Sequence, residues 1–159
     1  MTISLSGLLW LPLIAGVLGL ILLGIFLLWL VTAYTIYQAT MGHEGIVALE
    51  AFYRDVFTTS AGRYLIVVGI GVGFLFAVVV LAISVVSFPM LLDRNVGLYT
   101  AVATSVRACL VNPLPMAVWG LIVAGGLALG SLPLLLGLIV VIPVLGHATW
   151  HLYRKVVAR

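Results

Sequence analysis

Three stretches of this chain contain no Asp, Glu, Lys or Arg: residues 1–42, 64–92 and 108–146. Each exceeds the roughly 18 to 20 apolar residues that a helix needs to cross a bilayer. Hydrocarbon offers no water to a backbone N–H or C=O, so such segments fold as helices that close their own hydrogen bonds. The composition agrees, with 65% of the chain apolar and 7% charged, against about a quarter charged in soluble domains. The expected fold class is all-α: a polytopic membrane protein with four transmembrane helices and two interfacial amphipathic helices, in a single membrane domain spanning residues 1–159.

The spans fall at about residues 7–37, 63–90, 113–129 and 132–153, with interfacial helices at about 43–60 and 95–111. No Lys or Arg precedes the first run, and it is longer than the 7 to 15 apolar residues of a signal-peptide core, so it is expected to persist. It must tilt, or fray at Pro12. Trp10, Trp29, Tyr34 and Tyr37 are the amphipathic rings that favour headgroup level. In the first interfacial helix Ile46, Leu49, Phe52 or Tyr53, and Val56 share a face, and Thr58, Thr59 and Ser60 can cap the span that follows. In the second, Val96, Tyr99, Val102, Val106 and Leu110 do the same. Pro89 should kink the end of the second span, and Pro143 the fourth. Asn112-Pro113 is a helix start, and Gly130-Ser131 is the turn between the last two spans.

Small residues recur at spacing four on two spans: Gly69, Gly73 and Ala77, then Gly120, Ala124 and Ala128. Such faces let helix backbones approach closely. The GIGVG run within the first set lacks the preceding strand that a dinucleotide site requires, so packing explains it. An amphipathic helix followed by a polar break and a span occurs twice, as in the inverted repeats of transporters.

The net charge of +3 comes from cations scattered along the chain, with no basic stripe suited to nucleic acid. With four spans, Arg94, Arg107, Arg154, Lys155 and Arg159 share one side with Asp93, while Arg54 and Arg63 face Glu44, Glu50 and Asp55 on the other. The cation excess puts both termini in the cytoplasm, as expected for an inner membrane protein.

Residues able to carry chemistry are few. His147 and His151 are four apart and lie on one helix face, a possible metal pair, but no Glu follows the first as the zinc-protease motif demands. The third histidine, His43, falls on the opposite side. Asp93 and Arg94, at a helix end, are the candidate functional polar pair. Trp150, Tyr153, Arg154, Lys155 and Arg159 form an interfacial anchor for anionic lipid. The single cysteine, Cys109, excludes an internal disulfide. No carboxylate lies deep in a span and there is no Gly-x-Ser-x-Gly elbow. Neither catalytic residues nor a cofactor is expected.

The runs VVSFPMLLDR, WGLIVA and GSLPLLLGL, the Asn112-Pro113 pair and above all PVLGHATWHLYRKVV resemble an uncharacterised bacterial integral-membrane family. Its members are often labelled cytochrome c oxidase subunit I-like. The resemblance runs from about Leu27 onward and implies a fold and an inner-membrane address in respiratory bacteria, with no catalytic residues to transfer. An oxidase core that holds haems and copper uses more histidines than the three present here. The expected role is a non-catalytic accessory or assembly subunit of a respiratory or photosynthetic membrane complex, in contact with lipids and with other subunits or copies of itself. A small oligomeric channel or transporter is the alternative, and a haem or metal protein using His147 and His151 is the third.

Overall fold

The computed structural model describes residues 5–42 and 49–157. Among these there are seven helices and no strand: α1 (Leu5–Thr40), α2 (Leu49–Thr58), α3 (Ser60–Ser84), α4 (Ser87–Asp93), α5 (Leu98–Val111), α6 (Pro113–Ser131) and α7 (Leu138–Val157). Three stretches are long and apolar enough to cross a membrane: Pro12–Thr40, Ser60–Asp93 and Pro113–Ser131. The fourth expected span is not among them. Its helix starts at Leu138, because residues 132–137 form turns, and its second half carries His147, His151, Arg154 and Lys155. The expected interfacial helix at 43–60 is described only from Leu49, and His43, Glu44 and Ile46 lie outside the described residues, as does Arg159. Helices α1 and α7 run unbroken through Pro12 and Pro143.

The helices gather into two compact units, Leu20–Val80 and Met1–Gly19 with Leu81–Arg159. In the first, α1 touches α3 only lightly, at Trp29 beside the glycine side of α3. A Cβ on Gly73 would lie 3.7 Å from Nε1 of Trp29, and Trp29, Ala33, Ile36, Leu65, Gly69 and Val72 line an apolar cavity of about 230 Å³. Ala77, on the same stripe, is exposed. Helix α2 is fixed by the Tyr37 and Phe52 rings, 6.2 Å apart and edge-on. Thr59 then starts α3: its hydroxyl oxygen accepts the Gly62 N–H at 3.0 Å while donating to the Asp55 carbonyl at 2.7 Å. Gly62 has to be glycine, since a side chain would run into the carbonyls of Asp55 and Val56.

The second unit holds most of the buried residues. Leu18, Leu91 and Ala101 form one cluster, and Val85, Val86, Met90, Ala108, Met116 and Tyr153 another. Helix α6 presents two glycine faces. Gly120 meets Leu81, and Gly126 and Gly130 receive Val141, Leu145 and Leu138 of α7. Ala124 and Ala128 are exposed, so the four-residue stripe read from the sequence is not the one that seats α7.

Two departures from the expected helices have clear causes. The second span breaks at Val85 and Val86, ahead of Pro89. Pro89 has no N–H to give to the Val85 carbonyl, and the Val86 N–H leaves the helix ladder for the hydroxyl of Ser105, 3.1 Å away. On α5, the buried face is Ala101, Ser105 and Ala108, while Tyr99 and Leu110 of the expected apolar face are exposed. Small residues allow α4 close approach, and large apolar ones lose nothing by facing lipid.

Candidate functional site

The polar groups of the second unit converge where α4, α5 and the end of α7 meet. Asp93 closes α4, and its Oδ2 accepts a hydrogen bond from the hydroxyl of Tyr153 at 2.8 Å. Arg94 Nε lies 3.7 Å from the same oxygen, and the Arg94 backbone N–H caps α4 on the Met90 carbonyl at 2.9 Å. Tyr153 is 2% exposed and is flanked by the Trp150 ring at 5.6 Å. The side chain of Asp93, 41% exposed, keeps one side in solvent or headgroups. A buried phenol needs a partner for its hydroxyl, and here the partner is 60 residues away in the chain.

Ser105 and Asn112 complete the polar framework. The buried Ser105 hydroxyl bridges α5 to the α3–α4 break. Asn112 ends α5 and begins α6: its backbone N–H and its side-chain amide both bond the Ala108 carbonyl, at 3.1 and 3.3 Å. Thr104, Arg107, Ala108, Val111, Asn112, Val156 and Val157 surround a shallow cavity of about 290 Å³. Cys109, half-buried on α5, has its thiol pushed above the usual pKa by burial, which disfavours the reactive thiolate.

The remaining sequence candidates are spread along α7. His147 Nδ1 sits 3.0 Å from the Pro143 carbonyl on its own helix, and both it and His151 are exposed. Among the described residues no group of three His, Cys, Asp or Glu side chains could hold a metal ion, so the pair gains no third ligand. Arg154 and Lys155 are exposed in the last turn of α7, where cations suit the helix dipole. The structure joins Asp93, Arg94, Trp150 and Tyr153 into one cluster and leaves the histidines outside it. Ser105 had no signal in the sequence, because a lone serine on an apolar helix is common and its partner lies 19 residues earlier.

A family described as "predicted integral membrane protein (DUF2189)" matches residues 11–93, more than half of the chain. The chain belongs to this family. The match runs from α1 to Asp93, the acceptor of the Tyr153 bond, so α5, α6 and α7 lie beyond it. It identifies an integral membrane protein and carries no oxidase label or bacterial origin, the finer part of the resemblance read from the C-terminal motifs. No curated protein and no solved structure matches the chain.

Proposed function

We propose that this protein is a non-catalytic accessory or assembly subunit of a larger bacterial inner-membrane complex, respiratory or photosynthetic. The carrying observation is how little of its apolar surface it uses on itself. Few hydrophobic residues are buried, and large ones are exposed along all of the longer helices. Exposed small residues, Gly71, Ala77, Ala124 and Ala128, interrupt these surfaces where another helix can approach. The polar cluster ties helices together through a capped carboxylate and a buried phenol, which is an architectural use of these groups. The cation excess around it, Arg94, Arg107, Arg154 and Lys155 against Asp93, supports a cytoplasmic position for that end.

The test is to tag the protein in its native host, extract it in mild detergent, and identify co-migrating proteins while recording the visible spectrum. Stoichiometric recovery with the subunits of one membrane complex is expected. Recovery alone as a colourless homo-oligomer overturns the proposal and directs attention to flux assays.

A further inference from the structure

The cavity beside Trp29 is walled by apolar residues, whereas the one at the end of α5 has Thr104, Arg107 and Asn112 among its walls. Thr104, Arg107, Ala108 and Val111 stand three and four residues apart, so they share one face of α5. Val156 and Val157, in the last turn of α7, close the other side and pack against the cluster that holds Ala108 and Tyr153. Asn112 sits at the start of α6, immediately before the stretch Pro113–Ser131 that is long and apolar enough to cross a membrane. The cavity therefore lies at the end of a span, where hydrocarbon gives way to headgroups.

Arg107 has no carboxylate to pair with in its own unit. Between Leu81 and Arg159 the only Asp or Glu is Asp93, and its carboxylate is taken by the Tyr153 hydroxyl and by Arg94. Among the described residues Arg107 is in no ion pair, and it is exposed. The Thr104 hydroxyl is spent as a donor on the Thr100 carbonyl, at 2.7 Å. The Asn112 amide uses one N–H on the Ala108 carbonyl, at 3.3 Å, which leaves its second N–H as a further donor. A guanidinium presents N–H donors in a flat fork that matches the paired oxygens of a phosphate. A phosphate would supply the missing charge and the acceptors together. The surroundings point to its carrier. Val111 on the cavity wall, then Leu114, Val118 and Leu121 at helical spacing on α6, are exposed apolar residues leading into the membrane. Acyl chains can lie on them while the phosphate stays at Arg107.

We propose that the cavity between the end of α5 and the last turn of α7 binds the phosphate of one anionic membrane lipid, with Arg107 as its recognition residue. The sequence places lipid attraction on Arg154, Lys155 and their aromatic neighbours, a diffuse band in which one cation can stand in for another. A defined site differs in kind, because it saturates at one lipid and depends on the position of a charge rather than on the number of charges. It holds whichever complex the protein joins.

The full chain is purified in a neutral maltoside detergent, and its lipid adducts are counted by native mass spectrometry after adding phosphatidylglycerol, phosphatidylcholine or inorganic phosphate. A single saturable phosphatidylglycerol adduct is expected. Arg107→Gln should weaken it about tenfold, as for the loss of a charge-assisted hydrogen-bonded pair. Lys155→Gln removes the same charge and should weaken it by less than about twofold. Arg107→Lys should fall between, since an ammonium keeps the charge and loses the fork. Thr104→Glu gives Arg107 a counterion three residues away on the same helix face, and should expel the lipid with the arginine still in place. Equal losses in Arg107→Gln and Lys155→Gln overturn the proposal in favour of diffuse attraction. Equal adducts with phosphatidylcholine overturn it in favour of acyl contact alone. Displacement of the lipid by inorganic phosphate overturns it in favour of a soluble-anion site. A fall in the unfolding midpoint of Arg107→Gln before any lipid is added, with the adduct retained in Thr104→Glu, overturns it in favour of an arginine that only holds helix ends.

Discussion

The two units of this protein are held together by different means. In residues 20–80 the named polar side chains bond back to their own neighbourhood, Thr32 to the Leu28 carbonyl and Thr59 to the Asp55 carbonyl. Helix approaches helix there only lightly, as at Gly73 with Trp29 and Tyr37 with Phe52. The other unit adds polar bonds across long sequence distances, Ser105 to the Val86 N–H and Tyr153 to Asp93. In a bilayer, lipid is as apolar as leucine, so burial alone gives little preference for one helix arrangement. Directional hydrogen bonds supply that preference. The unit that has them is also the one with a buried core.

That contrast can be broken most severely at Gly130. A Cβ there would sit 3.0 Å from both Leu138 and Val141, so Gly130→Leu should separate α6 from α7. Overpacking of this kind costs about 3 kcal/mol. The expected outcome is a large fall in the midpoint of thermal unfolding in detergent, with helicity largely kept. An unchanged midpoint would mean that Gly126 and Gly130 do not seat α7.

Ser105→Ala tests the break between α3 and α4. It strands the Val86 N–H among buried groups, at a cost of about 2 kcal/mol. Ser105→Thr should recover part of that loss. Equal midpoints for the alanine variant and the wild type would show that the amide finds another acceptor, with the helix closing through Val86.

Tyr153→Phe removes only the hydroxyl that meets Asp93. The carboxylate keeps Arg94 and is partly exposed, so the expected loss is about 1 kcal/mol, less than for Ser105→Ala. Asp93→Asn should cost no more, because the amide oxygen still accepts from the phenol. A double variant no worse than the single ones would show that the two act as a pair.

How much of this could be read from the sequence follows the same division. Features set by neighbours in the chain were legible: long uncharged runs, Thr59 as a cap, the start of α6 after Asn112. The seating of α7 was not, because α6 is apolar all round and its pattern does not distinguish Gly126 and Gly130 from Ala124 and Ala128. On α5, periodicity marked a face, but lipid reverses the rule that large apolar residues point inward, and Ala101, Ser105 and Ala108 are the buried ones. Asp93 and Tyr153 each stand out in the sequence, for different reasons. Only the fold pairs them, since no local pattern reports a contact 60 residues apart.

The smallest effect is also the most discriminating between lipid and protein as the neighbour of α3. Gly71 is exposed, and a Cβ built on it meets nothing within 4 Å. In the isolated protein Gly71→Ala should therefore stabilise by up to about 1 kcal/mol, the difference in helix propensity, and raise the unfolding midpoint slightly. Lipid chains can shift around one methyl group, whereas a closely packed partner helix cannot. If the same variant lowers recovery of co-migrating subunits from native membranes while the isolated chain gains stability, Gly71 lies against a partner. If recovery is unchanged, that face is covered by lipid, and the partner surface belongs to another helix.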